Sequence, residues 1–249
     1  MKKLLILTTA CVSLLFSQES KAQTLQNLIN QANTLLGGGK GNTGNIKNLN
    51  NSEVVSGLKE ALKIGTQNAS QKLNRQNGYF GNQLIRIALP QEVKKVEATL
   101  RQFGFGKQCD QLILSLNRAA EDAAGKAVPI FVNAILSMNI QDGMNILKGG
   151  NNAATNFLQR TTTNALTQAF RPVIQKSLDK VNATKYWRTV FSTYNALPIS
   201  KQKINPDLTG YVTERALSGL FTTVAQEEQN IRQNPAARVT DLLRKVFGG

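Results

Sequence analysis

The chain of 249 residues holds no histidine, two cysteines and a formal charge of +15 at pH 7. Without histidine it lacks the commonest general base and metal ligand, which excludes a Ser-His-Asp triad and the usual zinc centres. Cys11 and Cys109 are too few for a thiolate cluster or a disulfide framework.

Lys2 and Lys3 precede an apolar run of 13 residues, Leu4 to Phe16, and a polar stretch ending Ser20-Lys21-Ala22. This pattern predicts a secretory signal peptide over 1–22, cut before Gln23. The run is too short for the roughly 20 residues a membrane-spanning helix needs. Lipid anchoring at Cys11 is the alternative. It fits poorly, because Thr8 stands where a lipobox usually has an aliphatic residue and the apolar run continues to Phe16. No later segment is apolar enough to span a membrane, so the expected address is the periplasm or an envelope-associated site. Removing Cys11 leaves Cys109 as a lone thiol, read as a buried small hydrophobe.

Gln23 to Leu36 has weak helical spacing and ends in Gly37-Gly38-Gly39, and the Gly/Asn-rich stretch to Asn51 reads as a flexible linker. A single helical domain is expected over 52–249. Ser52 is its first N-cap, with Val54, Leu58, Ala61, Leu62, Gly65, Ala69 and Leu73 as an inward stripe. Asn77-Gly78 breaks that helix, and Leu84 to Leu89 reads as an extended segment. Pro90 opens a helix whose Val93, Val96, Leu100 and Phe103 share one face, ended by Gly104. Cys109 to Ala124 follows, Pro129 predicts a kink or break before Ile130 to Met138, and a short helix runs near Gln141–Leu147. Asn152 to Val181 is a long helix bent at Pro172. Thr184 to Ala196 carries Tyr186, Trp187, Phe191 and Tyr194, which suit either core packing or an interfacial face. The segment 198–205 is a loop or a strand that would pair with 85–88. Helices from Asp207 to Gln233 and from Pro235 to Gly248 close the chain. The fold class is all-α: one orthogonal bundle of about 8–10 helices, some Pro-kinked, with at most one short two-stranded ribbon.

No Walker A, no GxGxxG after a strand and no GxSxG motif occurs, and no catalytic residue, cofactor or metal is expected. Gly37-Gly38-Gly39-Lys40 has neither the spacing nor the preceding strand of a phosphate loop. Glu121-Asp122 and Glu227-Glu228 are adjacent pairs, and neighbours on a helix point about 100° apart, so solvated or ion-paired carboxylates are the plain reading. Polar residues inside apolar stretches stand out: Asn117, Arg118, Glu121, Arg160, Glu228 and Arg238. A buried charge must be paired. One network linking Arg118, Glu121, Glu228 and Arg238 is therefore expected to fix the last two helices, with a polar binding pocket as the alternative.

The positive charge is uneven. Residues 171–203 hold Arg171, Lys176, Lys180, Lys185, Arg188, Lys201 and Lys203 against Asp179 alone, and residues 52–107 hold nine basic against four acidic side chains. Export argues against nucleic acid as the partner and favours anionic lipid or an acidic envelope component. The plain alternative is a basic surface with no specific anion site.

Several stretches are shared with a known family: Ile85 to Pro90, Asn117-Arg118-Ala119-Ala120-Glu121, Ala153-Ala154-Thr155, Arg160-Thr161-Thr162, Ala216 to Phe221, Asn234 to Arg238 and Asp241 to Gly248. In this order they closely resemble domain-of-unknown-function family 4197, a set of bacterial, usually exported helical proteins. The resemblance implies one continuous domain over Ser52 to Gly248 and an envelope address. It implies no activity, ligand or catalytic residue, because none is established for that family. The leading expectation is a non-enzymatic envelope protein that binds an anionic surface or partner through basic helices. A helical carrier with an apolar cavity and a carboxylate-based hydrolase are the alternatives.

Overall fold

The computed structural model describes residues 50–196 and 203–234. The signal peptide expected over 1–22 with Cys11, the 23–49 segment, Lys201, most of 198–205 and the helix expected from Pro235 to Gly248 with Arg238 lie outside the described residues, as do the side chains of Val190 and Tyr194. Among the described residues the fold is all-α, with eight α-helices and no strand. None of these helices is long and apolar enough to cross a membrane.

Helix α1 spans Asn51–Leu73. Its cap is Asn50 rather than Ser52: Glu53 N–H donates to Asn50 Oδ1 and Asn50 N–H to Glu53 Oε2, each at 2.9 Å. This reciprocal box satisfies two N–H groups that the helix itself cannot. Val55, Leu58, Ala61, Leu62, Ala69 and Leu73 are buried, so Val55 takes the core position expected of Val54. Thr66 and Ser70 sit inside by donating their hydroxyls to Leu62 O and Thr66 O.

Asn77 turns the chain at φ 67°. The expected extended segment opens in a further turn, where Ile85 N–H and Arg86 N–H both donate to Asn82 O, and only 86–89 leave it, without pairing to a strand. Ile85, Ile87 and Leu89 are buried while Leu84, Arg86 and Ala88 face out. A short 3-10 turn, Gln91–Val93, leads into α2 (Lys94–Gln102) and α3 (Gly106–Ala124). Helix α2 buries none of its residues, and of the apolar face expected for it only Val93, before the helix, is covered. In α3, Cys109, Ile113 and Leu116 are buried, as are the alanines 119, 120, 123 and 124, whose small side chains let neighbouring helices approach closely.

Pro129 does not break a helix. It lies in the first turn of α4 (Ala127–Leu136), where its missing N–H has no intrahelical partner to lose. Helix α5 (Ile140–Lys148) opens with a second reciprocal box, Asn139 with Asp142. It crosses α1 so closely that a Cβ on Gly143 would lie 2.6 Å from Val55 Cγ2.

Helix α6 (Ala153–Asp179) contains Pro172 and buries Leu158, Leu166, Phe170, Ile174 and Leu178 completely. Helix α7 is Ala183–Ala196, and α8 (Leu208–Gln233) is capped by Asp207, which accepts from Gly210 N–H at 2.9 Å. Arg171 pairs with Asp207 at 2.8 Å and Thr209 Oγ1 donates to Gln175 at 2.6 Å, while Glu228 accepts from Ala154 N–H at 3.1 Å. These ties set the end of α6 against the start of α8 and the reverse, so the two helices run antiparallel. They form the main packing pair, with α3 on α6, α1 on α8 and α4 against both α1 and α6. Phe131 and Phe221 meet edge-on at 6.1 Å inside this core, each worth roughly 1.5–3 kcal/mol in burial.

Candidate functional site

Among the described residues, which exclude Arg238, the polar residues marked by the sequence fall into two separate clusters. In the first, Glu121 is buried and accepts from Tyr79 N–H and Phe80 N–H, each at 3.1 Å, and from Arg118 Nη1. Arg118 Nη2 also donates to Asn77 Oδ1 at 2.9 Å, so the left-handed turn at Asn77 is clamped to α3. Beside it, Asn117 is fully buried and exchanges two 2.8 Å hydrogen bonds with the backbone of Ile87. The Tyr79 hydroxyl donates to Ala216 O at 2.8 Å. Burial, and then the Glu121 charge, hold that phenol far above the usual tyrosine range.

The second cluster centres on Glu228. It accepts from Ala154 N–H at 3.1 Å, Thr155 N–H at 2.9 Å and Thr155 Oγ1 at 2.8 Å, and it pairs with Arg232 at 2.8 Å. Helix α6 has no side-chain cap of its own, so Glu228 on α8 supplies both the hydrogen bonds and the negative charge that its N-terminus needs. Arg160 joins neither cluster: it is exposed, 5.8 Å from the centre of the Phe157 ring. In both clusters the carboxylate is saturated with donors, which is the chemistry of a pin between elements, not of an acid awaiting a substrate.

The basic segment also divides. Arg171 is tied to Asp207, and Lys203 Nζ donates to Asn195 O at 3.0 Å. Arg188 lies near both Asp179 and Asp207. The Asp179 carboxyl is held below its usual range by the Thr184 hydroxyl, the Gln175 amide and then Arg188. At Asp207 partial burial pushes upward, and the Gly210 N–H and Arg171 outweigh it. Lys176, Lys180 and Lys185 have no carboxylate within ion-pair distance among the described residues.

These lysines surround the α6–α7 corner, where Asn182 turns at φ 54°. There Val181 is 55% and Tyr186 64% exposed. Trp187, next along, is buried against Phe191 at 4.4 Å, with its indole N–H on Asn205 O at 3.1 Å. Between this corner and α3 runs an open groove of about 770 Å³ with Leu112, Leu114, Val181, Tyr186 and Trp187 as its apolar lining and Lys180 at its rim. The sequence marked the lysines and aromatics, but the groove depends on how α3 meets α7, which no local pattern carries.

A second cleft, of about 610 Å³, holds Glu92, Glu214, Arg86, Arg215 and Tyr211. Both carboxylates are exposed, whereas a carboxylic general acid needs an apolar surround. The Tyr211 hydroxyl is occupied, donating to Ala88 O at 2.8 Å.

The described residues therefore define a helical bundle with buried structural polar pins and an apolar groove beside a basic corner. Residues 48–248 match the family described as "Protein of unknown function (DUF4197)", and the chain belongs to that family. No curated protein and no solved structure shows significant similarity to it.

Proposed function

We propose that the protein is a non-enzymatic, exported component of a bacterial cell envelope that attaches peripherally to an anionic lipid surface through the α6–α7 corner. The observation that carries this reading is the exposure of Val181 and Tyr186, 55% and 64%, among Lys176, Lys180 and Lys185. Ammonium groups at this level meet lipid phosphates, while an aliphatic and an aromatic side chain lodge at the boundary between headgroups and acyl chains. Each basic residue near such a surface contributes about 1 kcal/mol. Three of them give weak, salt-sensitive attachment that the apolar pair reinforces.

Cosedimentation with vesicles at low and high salt tests this. Wild-type protein should pellet with anionic vesicles, lose most but not all of that binding in salt and ignore neutral ones. Replacing Lys176, Lys180 and Lys185 together by Gln should remove most of the binding. Equal binding to neutral vesicles, or no effect of the triple substitution, would remove the reading.

A soluble carrier is the second reading, supported by the groove of about 770 Å³, a volume suited to a single amphiphile. Native mass spectrometry of protein purified without detergent checks it: a bound lipid-sized mass supports carriage, and a bare protein mass speaks against it.

A further inference from the structure

Helix α2 is amphipathic with its apolar face turned to water. Val96, Leu100 and Phe103 recur at spacings of four and three, one stripe on a helix, and they are 41%, 40% and 76% exposed. The helix is held from its other side: Val93 is buried just before it, and Arg101 bonds to both Glu97 and Asp110 at 2.8 Å, the latter on α3. Its end is a Schellman turn. Phe105 N–H donates to Leu100 O at 2.9 Å and Gly104 N–H to Arg101 O at 3.2 Å, with Gly104 at φ 88°. The turn leaves Phe103 and Phe105 on either side of Gly104, the latter 49% exposed. Gln108, about one helical turn beyond Phe105, lines the same groove as Lys180, Val181 and Tyr186. That groove thus reaches from the first turn of α3 to the α6–α7 corner.

We propose that the α2–α3 corner is a second membrane-contact element: Phe103 and Phe105, with Leu100 and Val96 behind them, enter the acyl-chain region of an anionic bilayer while Lys94, Lys95 and Lys107 stay at its headgroups. The inference rests on the peripheral-attachment reading and adds an acyl-chain anchor to the shallower Val181 and Tyr186 pair of the basic corner. Charge decides the occupant. A second copy of a chain that keeps +13 on residues 23–249 (+15 less the net +2 of 1–22) is repelled, whereas an anionic bilayer attracts it. Lys94, Lys95 and Lys107 are exposed and form no ion pair among the described residues, so their charge is available to phosphates. A short helix with one apolar and one basic face, and phenylalanines at its tip, has the composition of an element that lies in a bilayer interface.

The test uses the secreted protein and its single, buried Trp187 as an internal reference. A Phe103→Trp variant should show a blue-shifted emission component on anionic vesicles and be quenched more strongly by lipids brominated in their acyl chains than wild-type protein is. The double variant Phe103→Ser/Phe105→Ser, at exposed positions, should keep its thermal melt and its low-salt pelleting. Its salt-resistant bound fraction should fall about tenfold, the scale of losing two partly buried rings. Pelleting without any blue shift or extra quenching overturns the insertion and leaves electrostatic attachment standing. No pelleting of wild-type protein overturns both. A wild-type dimer in sedimentation velocity that the double serine variant dissociates assigns the face to a second copy instead.

Discussion

The side-chain amide of Asn117 does for Ile87 what a neighbouring strand would do. It accepts from Ile87 N–H and donates to Ile87 O, both at 2.8 Å, while also donating to Ile113 O at 2.7 Å on its own helix. The extended segment is thereby held on a helix, with Ile85 and Leu89 pressed inward on either side.

Asn117→Ala should accordingly destabilise the fold by about 2–4 kcal/mol, since two buried backbone groups lose their partner. Asn117→Asp keeps the acceptor but loses the donor and adds a buried charge, and should be at least as damaging. Denaturant unfolding midpoints give the comparison; a loss below about 1 kcal/mol for Asn117→Ala contradicts the pairing described.

Removing either carboxylate pin should cost more than removing a surface ion pair. Glu121→Ala strands Arg118 and two N–H groups, and Glu228→Ala strands the start of α6, so about 3–5 kcal/mol is expected for each. Arg171→Ala breaks a half-exposed pair with Asp207 and should cost about 0–1 kcal/mol. Because the two clusters share no hydrogen-bonded residue, the losses at Glu121 and Glu228 should add in the double variant. Strong non-additivity in chemical denaturation would restore the single network.

Two limbs of the pH–stability curve should be separable. The lowered Asp207 carboxyl contributes stability present above about pH 4, the ordinary carboxylate range, and lost as pH falls through its lowered value. Asp207→Asn retains a capping side chain, so it should flatten the acid limb with little change at pH 7. The raised Tyr79 phenol contributes stability that is present below about pH 10 and lost on further alkalinisation. Tyr79→Phe should flatten that alkaline limb at a cost of about 1 kcal/mol for the bond to Ala216. Melting temperatures across pH, unchanged in shape for either variant, would dismiss these assignments.

Gly219 permits a close crossing of α8 over Tyr79: a Cβ there would stand 2.7 Å from Tyr79 Cε1 and 3.2 Å from Ile85 Cβ. Gly219→Ala gains helix propensity yet should lose about 1–3 kcal/mol by overpacking. A melting temperature equal to or above wild type would mean that Tyr79 yields easily.

Periodicity located the helices well, because a 3.6-residue stripe is written in neighbouring positions. It also read Leu84 to Leu89 as an extended segment, but the partner of Ile87 is a side chain on α3, and no strand pattern could announce that. The face of Val96, Leu100 and Phe103 was equally visible: a pattern states that one face is apolar, not whether another element covers it. Pro129 was misread because position within a helix, not the residue alone, decides whether proline breaks it. Glu121 and Glu228 stood out as charges within apolar runs, whereas their separation depends on which helix ends each one reaches. At the candidate site, Lys176, Lys180, Lys185 and Tyr186 were legible as a basic-aromatic group. The groove beside them arises where α3 meets the α6–α7 corner, far apart in the chain.

The cap that Glu228 gives to α6 has a temporal consequence. The longest helix of the bundle starts at Ala153, and the group that completes its first turn lies 73 positions after Thr155. A chain made from its N-terminus lacks this cap until residue 228 has been added, so the first turn of α6 is completed near the end of synthesis rather than in its course. Hydrogen exchange at the Ala154 and Thr155 amides would register that order: fast in a chain ending before residue 228, slow in the full-length protein.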